Sequence, residues 1–85
     1  MLNSILFIES DRNYITVITK TQKLSYIDSL KNWTVKLPKN QFIQVHKSWA
    51  VQLNKIEAIE RNRIKISNTY IPIGDSYKNR FREAL

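Results

Sequence analysis

The stretch "FIQVHKSWAVQL", residues 42–53, sets a histidine, a lysine and a serine side by side between apolar residues. His46 is the only imidazole of the chain, and a nucleophile pair with Ser48 is the first chemistry it suggests. Geometry disfavours that pair. Side chains two apart on a strand point the same way but sit ~7 Å apart, beyond hydrogen-bond reach, and no third partner follows. The seven carboxylates are scattered, without acid–base or metal-ligand spacing. The single glycine, Gly74, builds no phosphate-cradling loop, and there is no cysteine. No enzyme activity, metal, cofactor or small-molecule substrate is expected.

The basic residues carry more. Fourteen Lys and Arg against seven Asp and Glu give a net charge of +7, a positive field that favours polyanionic partners. Arg61, Arg63 and Lys65 cluster on one predicted hairpin and read as an ordinary solvated face. Lys78 and Arg82 lie four apart on a predicted helix, a spacing that lets both grip one phosphate backbone. The structural alternative for them is a favourable charge near a helix C-terminus. Lys47 is the anomaly. Counting alternately from Ile43, one parity reads Ile43, Val45, Lys47, Trp49, Val51, Leu53, the apolar face of a half-buried strand. Either Lys47 buries its stem and frees its ammonium, or the strand breaks at His46–Ser48 and Lys47 swings outward. The break also accounts for three consecutive polar residues and is the reading taken. His46 then bonds backbone and holds the loop, the alternative being direct donation to a phosphate or base.

The elements that must position these residues are mostly β. "SILFIES" reads as a buried strand, "DRN" as a turn and "YITVIT" as a β-branched strand, with "TQ" and a short "KLS" completing a hairpin or meander. Tyr26, Leu30, Trp33 and Leu37 then fall on one helical face, so a helix is predicted over 26–37, with Ser25 and Asp28 as a capping box and Pro38 as its stop. Strand structure resumes near Phe42 and continues through "IEAIE", "RIKIS" and "YIPI", with turns at 61–62 and 67–69. Pro72 marks an edge strand or a strand end. Tyr77, Phe81 and Leu85 predict a short terminal helix capped by Asp75 or Ser76. The 85 residues suit one domain. No apolar run approaches the ~20 residues of a membrane span, and a cytoplasmic, membrane-free protein is expected.

In order and spacing, "LFIES…NY", a helix with "SL", "FIQVHKSWAVQLNKI" and "YIPIGDSY" resemble the LytTR (LytR/AlgR-type) DNA-binding domain family over about residues 3–85. The resemblance implies small antiparallel β-sheets packed together in an elongated fold with little helix. It also implies the output domain of a bacterial transcription regulator of the response-regulator, two-component kind. The partner would be double-stranded DNA, as paired direct repeats bound by two copies that could pair as a homodimer on DNA. Family members read DNA through three loops instead of a recognition helix. Carried over by position, these are the loop with Asn13 and Tyr14, the His46–Lys47–Ser48 break, and residues 75–79 leading into the last helix. Lys47 would face guanine O6/N7 or a phosphate, and Asn13 an adenine edge. Gly74 stands where a serine is usual, and Asp75 where an arginine is common. Asp75 is therefore given to helix capping, leaving Ser76, Lys78 and Asn79, with Arg82, as contacts. Gln52 replaces the usual asparagine and Trp49 the usual tyrosine. No phosphoacceptor aspartate is assignable. Two rivals stand beside this reading: a single-stranded nucleic-acid binder stacking bases on Tyr14 and Trp49, and a β-edge protein-interaction module.

Overall fold

The computed structural model describes residues 2–85. After a 3-10 turn at Leu2–Ser4 come β1 (Ile5–Asp11), β2 (Tyr14–Thr19), β3 (Lys23–Ile27), α1 (Leu30–Lys36), β4 (Phe42–His46) and β5 (Trp49–Gln52). A 3-10 turn at Leu53–Lys55 leads to β6 (Ala58–Glu60), β7 (Arg63–Ile66) and β8 (Thr69–Pro72). The chain ends in a 3-10 turn, Asp75–Tyr77, running into α2 (Lys78–Ala84). The strands form two antiparallel sheets, one ordered β3-β2-β1-β5-β4 and one ordered β6-β7-β8.

The five-stranded sheet is covered on both faces, which explains why "ILFI" shows no polar alternation. On one side Ile8, Ile15, Val17, Phe42 and Ala50 pack with Leu30 and Leu37 of the α1 segment. On the other, Phe7, Val45 and Val51 pack with Ile64, Ile66 and Ile71 of the small sheet and Phe81 of α2. A register shift between Ile5 and Phe7 lets the neighbours Leu6 and Phe7 join the same cluster, the local effect of an extra residue in one strand. Gln52 is the buried polar side chain of the core. Its Nε2 donates to the carbonyls of Leu2 and Ile5, tying the N-terminal turn to β5. Pro72 ends β8, an edge strand, so its missing N–H removes no ladder bond.

Two predicted boundaries are corrected. The helix predicted over 26–37 begins at Leu30, and Tyr26 and Ile27 belong to β3. The cap is Ser29, whose hydroxyl accepts from the Asn32 N–H at 3.1 Å, not the Ser25–Asp28 pair. Asp28 instead gathers the Ser29 N–H, Asn32 Nδ2 and Trp33 Nε1 at 2.8, 3.0 and 3.0 Å. At the other end, neither Asp75 nor Ser76 caps the terminal helix. Both lie in the preceding 3-10 turn, and the residue before α2, Tyr77, makes no side-chain cap bond.

Candidate nucleic-acid interface

Residues 42–52 form a hairpin, not one strand. β4 and β5 pair antiparallel, and Lys47–Ser48 is the turn between them. Lys47 is therefore exposed at a tip, and a register shift between Gln44 and His46 sets up the turn. The His46 Nδ1 accepts from the Ser48 N–H at 3.1 Å. That bond fixes the neutral ring as the Nε2–H tautomer, so one imidazole both holds the loop and keeps a free donor.

Two further loops are bonded through the backbone to this hairpin, and a third is bonded in turn to one of those two. Glu9 pairs with Trp49, and the Ser10 N–H donates to the Ser48 carbonyl at 2.8 Å, so the β1–β2 turn at Arg12–Asn13 emerges at the same end of the sheet. The Asn13 carbonyl in turn accepts from the Asp28 N–H at 3.0 Å. On the other side the Gly74 N–H donates to the Val45 carbonyl at 2.8 Å. Gly74 allows close approach there: a Cβ would stand 3.1 Å from Tyr77 Cδ2 and 3.5 Å from His46 Cδ2. Finally the Ile73 N–H donates to the Asn62 carbonyl at 2.8 Å, which adds the β6–β7 turn. The four loops form one continuous rim.

Asn13, Tyr14, Lys47, Ser76, Asn79 and Arg82 are exposed on the rim or on α2 behind it, while His46, Ser48 and Lys78 are half-buried. Tyr14 pairs across the strand with the exposed Ile27. Lys78 and Arg82 share one helix face as expected, but the Lys78 ammonium is held by the Asp75 carboxylate at 2.9 Å. Gln52 and Trp49 separate on inspection. Gln52 lies at the end of β5 remote from the tip, so its departure from the family asparagine concerns core packing. Trp49 adjoins the tip with its ring tilted against Phe7, 5.6 Å between centroids.

Sequence reasoning passed over Arg12 and read Arg61 as part of an ordinary solvated face. Each opens a two-residue Arg-Asn turn with positive φ, 57° and 52°, where an unbranched glycine would be relaxed. The repeated Arg-Asn dipeptide between strands was the available signal. Tyr77 was also missed as a loop residue; it packs beside Gly74, with the Arg80 guanidinium 5.6 Å from its ring centroid. Among the described residues no group of three His, Cys, Asp or Glu side chains is placed to hold a metal, and no helix is long and apolar enough to cross a membrane.

The family model of the LytTr DNA-binding domain matches residues 1–85. The chain belongs to the LytTR family. A solved structure described as the LytTr DNA-binding domain of a methyl-accepting/DNA response regulator from Bacillus cereus superposes with a TM-score of 0.87 at 25% identity, covering 96% of this chain and 81% of that one. No curated protein matches in sequence. A LytTR chain is a DNA-binding domain, and the mainly β architecture with two antiparallel sheets and two helices agrees with that of its structural neighbour. What the LytTR fold contributes here is physical: separate turns from two sheets, linked in series by backbone bonds, carry the exposed cations Arg12, Lys47 and Arg61.

Proposed function

We propose that this LytTR chain, as a single domain over residues 1–85, is the sequence-specific, double-stranded DNA-binding output domain of a bacterial two-component response regulator acting in the cytoplasm. It reads the duplex through loops. Lys47 approaches a guanine edge in the major groove or a phosphate, Asn13 an adenine edge, and the His46 Nε2–H a phosphate or base. Tyr14, Ser48, Ser76, Lys78, Asn79 and Arg82 complete the contact set, with the long cations neutralising phosphates. Two copies engage paired direct repeats, as a homodimer on DNA. The observation that carries the reading is the laced rim with Lys47 at its tip, free of any carboxylate partner among the described residues. The half-burial of Trp33 and Trp49 speaks against a single-strand stacking groove, which needs open ring faces.

The test is selection from a randomised duplex pool, then anisotropy titration of the best sequence against a scrambled one at several salt concentrations. A preference of ~10³-fold or more at physiological salt is expected. A steep salt slope without preference would reduce the +7 charge to non-specific attraction and overturn the specific reading.

A further inference from the structure

The turn at Arg61–Asn62 has no role in the contact set above, yet it is the fourth member of the rim. Three observations place it there. The Ile73–Asn62 backbone bond at 2.8 Å holds it beside the strand end that carries Gly74 and Tyr77. Arg61, Asn62, Lys78 and Arg82 then line one open cleft over the buried Ile73 and Phe81. And the arginine is uncompensated: Glu60, the adjacent carboxylate, pairs with Arg63 at 3.3 Å, while Asp75 pairs with Lys78. Arg61 and Arg82 thus face the cleft without a carboxylate partner among the described residues, and like charges so placed favour an anion between them. Arg61 also keeps its exposed place at a left-handed φ of 52°, a conformation non-glycine residues hold at a cost. Ser67 shares that φ range at 56° in the β7–β8 turn, so backbone conformation alone does not mark the site. Placement and charge do.

We infer that the Arg61–Asn62 turn is a fourth DNA-contacting loop, in which Arg61 joins Lys78 and Arg82 to hold one stretch of phosphodiester backbone. This rests on the duplex-binding reading and extends its footprint from the end of the large sheet onto the small one. A phosphate contact carries no sequence information, so the effect on affinity is uniform across sequences.

The experiment compares wild type, Arg61→Ala, Arg61→Gly and the control Arg63→Ala on the selected and scrambled duplexes across salt concentrations. Arg61→Ala is expected to weaken both complexes by a similar factor and to reduce the slope of log affinity against log salt by about 0.9, one phosphate. Arg61→Gly should lose the same affinity while its melting temperature is unchanged or raised, because glycine relaxes the turn; unfolding then cannot explain the loss. Arg63→Ala should leave the slope alone. An unchanged slope in Arg61→Ala, or an equal loss in Arg63→Ala, would overturn the fourth loop while wild-type binding keeps the three-loop reading intact. No salt-dependent duplex binding by wild type would overturn both.

Discussion

At the scale of single residues, Lys47 and Asp75 make opposite contributions to the same surface. Lys47 sits exposed at a hairpin tip, and its ammonium competes with water alone until DNA arrives. Lys47→Ala should cost about 1–3 kcal/mol on the selected site and less on random duplex, as expected for a base-edge contact. Equal losses on both would make it a phosphate contact, and titration of the two duplexes decides. Asp75 is 95% exposed at its side chain and neutralises Lys78, so it subtracts from the positive field and would face phosphate. Asp75→Asn should tighten binding to all duplexes by roughly twofold to fivefold at low salt and change stability by no more than about 0.5 kcal/mol, because exposed ion pairs contribute little. Tighter binding confined to one sequence would contradict that assignment. His46 shows why residue type alone left two readings open: one ring nitrogen stabilises the loop while the other remains a donor.

At the scale of elements, the entry to α1 depends on Asp28. Donation from Asn32 chiefly, then from the Ser29 N–H and Trp33 Nε1, with Lys36 nearby, holds its carboxyl below the ordinary value of 3.8. A depressed carboxylate stabilises the fold above its unfolded pKa and loses that contribution as pH falls through the lower folded value. Urea midpoints should therefore drop below about pH 3.8 more steeply in wild type than in Asp28→Ala; parallel acid profiles would assign the loss to other carboxylates. The same corner shows how the helical period misled. Tyr26 was predicted on the helix because it falls four before Leu30. It lies instead on β3 and reaches the same apolar surface from the sheet, its ring 5.6 Å from Trp33. The Ser29–Asn32 spacing in the sequence carried the true cap, in competition with Ser25–Asp28.

At the scale of the whole molecule, the two sheets share one core, and the rim depends on it. Ile71 is fully buried between them. Ile71→Ala should cost about 2–5 kcal/mol, a large share of the roughly 4–13 kcal/mol that ~0.05–0.15 kcal/mol per residue allows a domain of this size. A urea titration reads the loss. DNA affinity should fall with it, since Gly74 and Asn62 are positioned by that packing. A well-folded Ile71→Ala protein of full stability would refute the shared core.

The sequence by itself determined the β-rich class, the positive field, the order of strands and turns, and the family, because alternation, turn dipeptides and the "FIQVHKSWAVQL" motif are local. It also exposed Lys47 as misplaced on an apolar strand, and a hairpin turn resolves that misfit. Only the tertiary structure decided what is non-local. Pairing β1 with β5 brought residues 10–13 beside 47–48, packing of the small sheet brought 61–62 beside 73–75 and α2, and Gln52 turned inward at the far end of its strand. Ladder register and sheet-on-sheet packing join residues tens of positions apart, and no periodicity along the chain records which distant partner each strand selects.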